Sequence, residues 1–433
     1  MRFFNIIKQY LWIVIFPAVF LLYSNSFNTF PILEQKHSVL AEADSAAFMI
    51  PIRDFHLDKK YGDEYNRKNR GLEDVAQKHK IHHTLYVITA SLIYEFFVFV
   101  YRFLGISSNQ ALYSINALLS CLNIGLLYIL LRHFSPDNKR TSLFLIFYSL
   151  SLSTWIYGSV PESWTLSSTL VLTFLILLYK KRLNYLILSV IIGISMLNNI
   201  FLGSLFIFLF IDYLLTDKGF FKVSNKIILS CIVAICTWAL FMSVFSLFDN
   251  SLRPDNYIKY TLWFKKSVAP PVLLFKIQHW EVAITNFLIN SILSNQSDPV
   301  IPKNAILLTI KESYVGVIST LTYLVLMTVV LINVIRYIRD KKLLGNKKEH
   351  SEKPFLQFIA YAVIWIFLIV IMDPAGGFLY STLIVPMIII LINRFTDFTN
   401  SYQKVLFYTT LGAVGFNNVI QIMKFREALG AFF

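Results

Sequence analysis

Two carboxylates two residues apart, Glu42 and Asp44, stand in the stretch from Ala41 to Tyr86, which closes on His79, His82 and His83. An aromatic side chain, Phe48, follows Asp44 by four positions. A carboxylate beside a hydroxyl can take its proton as that oxygen attacks, and a cation or fixed donor can meet the charge on the departing oxygen. Two more acids stand in short polar turns, Glu162 and Asp373, and a second polar stretch offers Arg253, Lys265 and Lys266. Arg grips a phosphate through paired N–H bonds, whereas Lys acts as a point charge. These types suit proton transfer and phosphate handling on one surface. Adjacent histidines without a further spaced ligand make a poor metal pattern. Nucleotide-binding and zinc-protease patterns are absent, so nucleotide chemistry has no support.

Each residue also has a plainer role. Glu162 can cap the helix that begins near Ser163, since an acid suits a helix N-terminus. His82 and His83 suit a membrane interface, Arg253, Lys265 and Lys266 can anchor on lipid headgroups, and Asp373 can be a turn residue before Pro374.

The elements that must hold these residues are apolar helices. Of 433 residues, 56% are hydrophobic and 16% aromatic, and the mean hydropathy is +0.60. Apolar runs of about 20 residues are what a bilayer core of about 30 Å demands. They fall at roughly 10–30, 111–131, 142–158, 164–179, 184–199, 200–215, 227–248, 314–335, 355–372, 378–393 and 404–423. The expected fold class is therefore all-α and polytopic, with about eleven transmembrane helices in a single domain covering 1–433. The first run is too long for a cleaved signal peptide and lacks a small-residue cleavage pattern. Cys121, Cys231 and Cys236 lie inside apolar runs and read as packing residues.

Orientation turns on 85–104. If it does not cross and the N-terminus is cytoplasmic, the basic clusters Lys180–Lys181–Arg182, Lys341–Lys342 and Lys347–Lys348 all fall inside. The turns at 159–163 and 373–377, which hold no Lys or Arg, then fall outside. The net charge of +14 then reflects orientation and contact with anionic lipid, not nucleic-acid binding. Thr84, Ser91, Glu95 and Arg102 fall on one narrow helical face, so 85–104 reads as a helix lying in the interface. The alternative is a true span whose polar stripe faces the bundle. On this reading 31–110 is a first external loop with the acidic motif and the interfacial helix, and 249–313 is a second. The expected spans bury essentially no ionisable group, which disfavours an ion-coupled carrier.

Four stretches resemble the GT-C class of membrane glycosyltransferases, which use polyprenyl-phosphate sugars. They are Glu42-Ala-Asp44-Ser-Ala-Ala-Phe48 after the first span, His82-His83-Thr-Leu-Tyr86, Val160-Pro161-Glu162-Ser163, and Asp373-Pro-Ala-Gly-Gly-Phe-Leu-Tyr-Ser381. Protein O-mannosyltransferases and aminoarabinose transferases carry prolines in the second stretch that this chain lacks. The resemblance implies Asp44 as the base on the acceptor, with Glu42 as the first acid of the pair. A divalent metal on Glu42 and Asp44 is implied for some members and not for others. It implies a bacterial inner membrane, an extracytoplasmic active face, lipid and a polyprenyl-phosphate sugar as partners, and an acceptor left unnamed. The donor phosphate would fall to His82, His83, Arg253, Lys265 or Lys266. A transporter or flippase, and a polymerase or ligase of lipid-linked glycans, are the alternatives.

Overall fold

In a computed structural model the described residues are 2–29, 48, 52, 82–107, 110–135, 137–179, 184–216, 220–249, 252, 277–293, 314–344, 353–372 and 380–430. They form helices and turns, with no strand among them. The first part of the chain gives α1 (Arg2–Ser26), α2 (Thr84–Phe103), α3 (Gln110–Phe134), α4 (Asn138–Leu150), α5 (Leu152–Gly158), α6 (Ser163–Tyr179) and α7 (Tyr185–Met196). A 3-10 turn, Ile200–Leu205, leads into α8 (Phe206–Thr216), followed by α9 (Phe220–Phe248), α10 (Ile277–Ile284) with a π turn at Thr285–Ile289, and α11 (Tyr314–Leu344). The chain closes with α12 (Lys353–Met372), a 3-10 turn at Ser381–Leu383, α13 (Val385–Phe395) and α14 (Ser401–Gly430).

Among the described residues, five helices are long and apolar enough to cross a membrane: Thr84–Phe103, Gln110–Phe134, Ser224–Leu247, Gly316–Tyr337 and Ser401–Gly430. Leu152–Gly158 and Ser163–Tyr179, bent by 118°, make a sixth if they count as one span. Two of the other expected spans are interrupted at polar residues. The expected 142–158 is cut at Ser151, whose backbone is extended (φ −63°, ψ 134°). The expected 200–215 starts as a 3-10 turn after the Asn199 side chain accepts from the Phe201 amide, 2.9 Å. Pro386 sits in the first turn of α13, where its missing N–H costs nothing.

Helix α2 lies across α3. Tyr86 donates to Asn116 Oδ1 at 2.9 Å, and the Tyr101 hydroxyl meets Ser114 Oγ at 2.6 Å. The two tyrosines are about 22 Å apart along α2, but their partners only about 3 Å apart along α3. Aligned helices would advance in step, so these two cross steeply near the start of α3. Phe20 of α1 stacks on Phe97 at 5.7 Å between ring centroids, and Gln110 donates to Asn25 Oδ1, 3.1 Å. The end of α1 therefore meets the same place. Leu104, Gly105 and Ile106 end α2 with two returning bonds, Gly105 N–H to Arg102 O (3.2 Å) and Ile106 N–H to Tyr101 O (2.8 Å). Gly105 takes the left-handed φ of +69° that this cap requires.

Only half of the polar stripe expected to face water on α2 does so. Thr84 and Ser91 are buried, Glu95 is half-buried and Arg102 is exposed, while Leu92, Phe96, Phe99 and Phe103 face out.

The second polar stretch is not a surface segment throughout. Phe287, Ile292 and Leu293 are fully buried. The carbonyls of Ser291 and Ile292 accept the amides of Ser153 and Leu152, each at 3.1 Å, which the cut at Ser151 leaves without helical partners. Asn418 of α14 donates to the carbonyls of Leu150 and Ile292, both at 2.7 Å. Irregular backbone survives inside an apolar bundle only when protein groups satisfy it in this way.

The expectation of spans without ionisable groups also needs correcting. Asp212 of α8 is 4% exposed and accepts a hydrogen bond from the Tyr185 hydroxyl. It sits within a turn of the helix end and shares this polar corner with Tyr213, whose hydroxyl meets Ser230.

Candidate functional site

The turn between α5 and α6 is built on one side chain, Asn116. Its amide nitrogen lies 2.8 Å from Tyr157 O, 2.7 Å from Val160 O and 2.8 Å from Glu162 O. Its oxygen accepts from Tyr86. Two N–H groups thus serve three carbonyls that α5 and the turn leave outside any helix. Thr165 adds a bond from its hydroxyl to Tyr157 O, 2.8 Å. Gly158 lets the chain turn against α1 and α3: an added Cβ would meet the Tyr23 ring at 2.5 Å and Ser120 Oγ at 2.6 Å.

Glu162 occupies this turn and is 1% exposed. One carboxylate oxygen accepts the Ser163 amide at 2.8 Å and the Ser163 hydroxyl at 3.2 Å. The capping role read from the sequence is therefore present.

Next to the turn sits His83. Its Nδ1 lies 2.6 Å from the carbonyl oxygen of Asn198. A carbonyl only accepts, so Nδ1 carries the proton, and Nε2 is an acceptor when the ring is neutral. Asn198 in turn donates to Ser163 O (3.2 Å) and Ser167 Oγ (2.7 Å), tying the histidine to the start of α6. His82 is half-buried beside it.

Rings join this corner to distant parts of the chain. Phe48 meets His83 edge-on at 5.4 Å and Tyr86 at 5.0 Å. His83 faces Trp164 at 6.4 Å, and Trp164 meets Tyr380 at 4.7 Å and Trp365 at 6.2 Å. Trp365 and Tyr380 are 5.7 Å apart. Leu252, 1% exposed, clusters with Leu197 and Met242 and is packed by Leu85, which brings the start of the second polar stretch to the residues beside His83.

Several buried polar atoms here have no hydrogen-bond partner among the described residues: Asn198 Oδ1, Trp365 Nε1, Thr382 Oγ1, Tyr361 OH and Ser204 Oγ. The Tyr361 hydroxyl faces Trp365 and Ser204, yet none of these three makes a bond of ordinary geometry. Each unmade bond costs about 1–3 kcal/mol.

Of the residues singled out in the sequence, His82, His83 and Glu162 are described, and the last two are joined through Asn198. Glu42, Asp44, Arg253, Lys265, Lys266 and Asp373 lie outside the described residues. Among the described residues no group of three or more His, Cys, Asp or Glu side chains is placed to hold a metal. Sequence reasoning passed over Asn116, Asn198, Trp164 and Trp365. A lone Asn inside an apolar helix was the available signal, because such a group marks a buried polar contact.

No protein-family model, curated protein or solved structure matches this chain.

Proposed function

We propose that the chain is a polytopic membrane glycosyltransferase of the GT-C kind, with about eleven membrane helices, that moves a sugar from a polyprenyl-phosphate donor at the extracytoplasmic face. One observation supports this most directly. Three of the four stretches that carry the resemblance contribute to a single chain of rings, Phe48, His83 and Tyr380, joined through Trp164, the residue that follows the remaining stretch.

The reading assigns roles as follows. Asp44 takes the proton of the acceptor hydroxyl as that oxygen attacks the anomeric carbon. The bond from that carbon to the phosphate oxygen breaks, and the sugar passes over with inversion. Polyprenyl phosphate leaves with the electron pair. Glu42 supports Asp44, or holds a divalent cation with it. Arg253 follows Leu252 directly in the sequence. It is the leading group for the phosphate, with His83 and His82 next and Lys265 and Lys266 behind. Asp373 and Glu162 shape the turns. Helix α2 rests in the interface on this reading, laid across the bundle end with its aromatic face on lipid.

A second reading has its own support. The bundle contains broken helices, at Ser151 and at 290–293, whose backbone is satisfied by side chains. Carriers build substrate sites from such breaks. Purified protein given a panel of polyprenyl-phosphate sugars separates the two. Consumption of a donor, lost in Asp44→Asn, supports transfer. Movement of an intact donor across a vesicle membrane, without consumption, supports the carrier instead.

A further inference from the structure

We propose that the end of α11 and α13 forms a headgroup site for an anionic phospholipid, with the lipid's chains lying along α11. The proposal needs only that the chain sits in a bilayer, so it stands apart from the transferase reading. The cation at its centre is Arg394, in the last turn of α13. Its guanidinium carbon lies 5.9 Å from the ring centres of both Tyr337 and Phe395. Those two rings are 5.8 Å apart and stand at 68° to each other. Asn333, one turn before Tyr337, donates to the Phe395 carbonyl at 2.7 Å and so fixes the end of α13 against α11. The rings therefore hold the guanidinium in place before any ligand arrives. Arg336, the residue before Tyr337, is exposed. Among the described residues neither of these two side chains makes a hydrogen bond or ion pair. Arg140 shows the contrast. It reaches the same end of α13 but is taken up by Asn393 Oδ1 at 2.8 Å, Thr396 O at 2.9 Å and the Phe398 ring at 4.6 Å. Arg140 is a tie within the bundle, whereas Arg336 and Arg394 keep their N–H groups for a partner outside it.

The surroundings say what that partner is. The apolar window of α11 runs Gly316–Tyr337, so Arg336 and Arg394 stand where a span meets the headgroups. Val325, Leu331, Ile332 and Ile335, earlier on the same helix, are all exposed. Val325, Ile332 and Arg336 are seven and four residues apart, which places them on one face of the helix. From Val325 to Arg336 the helix rises about 16 Å, close to half of a bilayer core of about 30 Å. The acyl chains of one leaflet thus fit beside the apolar strip while the phosphate reaches the arginines. A guanidinium holds a phosphate through paired, charge-assisted N–H bonds. A choline headgroup would add a cation that the two arginines repel, whereas a glycerol headgroup leaves the lipid with a net negative charge. The acid closest to Arg394 in the sequence, Asp397, does not compete. Its carboxylate accepts the Thr399 amide at 2.9 Å and the Thr399 hydroxyl at 2.6 Å, and its cationic neighbour is Arg140. On the topology proposed above, this site faces the cytoplasm, where anionic lipid gathers, across the membrane from the proposed active face.

The test uses the full-length protein in mixed micelles that hold phosphatidylglycerol and phosphatidylcholine with the same chains. Native mass spectrometry counts the lipid that stays bound after release. Phosphatidylglycerol is expected to stay well above phosphatidylcholine. Arg394→Gln and Arg336→Gln should each lower its retention about fivefold, the worth of one cation near a charged membrane surface. The Arg336 side chain has no bond within the bundle, so its variant tests the site even where Arg394→Gln disturbs the fold. Lys139→Gln removes an exposed charge at the start of α4, next to Arg140 and so at the same end of the bundle, and should leave retention unchanged. Glycerophosphoglycerol and inorganic phosphate, which lack the chains, should not displace the lipid. Equal retention of both lipids, or full retention in both arginine variants, overturns the site. So does a loss in Lys139→Gln as large as in Arg394→Gln, which would mean that the lipid senses only overall charge. Displacement by glycerophosphoglycerol or phosphate overturns the lipid as the occupant. Absence of transferase activity leaves the site standing, and failure of the site leaves the transferase reading standing.

Discussion

At the scale of single residues, the turn carrying Glu162 depends on Asn116. An amide has two N–H groups, and buried side-chain bonds between membrane helices are worth about 0.6–1.7 kcal/mol each. Asn116→Ala is therefore expected to lower stability by about 1–3 kcal/mol, read as a fall in the thermal midpoint in nanodiscs. No change would mean that the carbonyls of Tyr157, Val160 and Glu162 find other donors. For the chemistry, Asp44→Asn keeps shape but cannot take a proton, and loss of about 10²–10⁴-fold in turnover is expected. Glu42→Gln should be milder. Glu162→Gln separates the two roles of that residue. The amide oxygen still accepts from Ser163, so a pure cap leaves turnover within a few-fold, whereas a group that holds charge for the reaction loses far more. The place of Glu162 at the start of α6 was legible because it stands in a polar turn between apolar runs. Asn116, Asn198 and Trp365 were not, because each is one residue among apolar neighbours, and only the third dimension shows what it faces.

At the scale of elements, the helical class was plain from apolar runs, but the breaks inside them were not. The apolar run 142–158 continues through Ser151, yet the helix stops there because Ile292, Ser291 and Asn418 offer better partners from distant sequence. Such long-range satisfaction leaves no local mark. The four-residue gap between α5 and α6 was legible from Pro161 and the polar residues around it. Gly158 was not, since its necessity comes from Tyr23 and Ser120 packed against its bare Cα. Gly158→Ala is expected to cost about 1–3 kcal/mol by overpacking, measured against the wild type by thermal unfolding. Gly105→Ala should cost about 1–2 kcal/mol through its left-handed backbone alone, since nothing lies within 4 Å of the added carbon. A larger penalty at 105 than at 158 would contradict the packing described for both.

At the scale of the whole molecule, the proposed topology rests on charge bias along the sequence, and α2 in the interface is part of that proposal. Single cysteines at Ser159 and Gly376 should react with an impermeant thiol reagent from outside, and those at Lys181 and Lys347 only after permeabilisation. The background must lack Cys121, Cys231 and Cys236, which are free thiols. The reverse pattern would turn α2 into a span and move the proposed active face to the cytoplasm.

The bond between His83 and Asn198 bridges 115 residues of chain, and that has a consequence for how the protein is made. A ribosome adding about 5–20 residues per second needs roughly 6–23 s to reach Asn198 after His83. Throughout that interval α2 has been synthesised, but the Leu197–Asn198 corner that receives its first turn has not. His83 and Leu85 therefore meet lipid or the insertion machinery before they meet Asn198 and Leu197. Damage at Asn198 would then show first as nascent chains degraded during biogenesis, ahead of any defect in the mature protein.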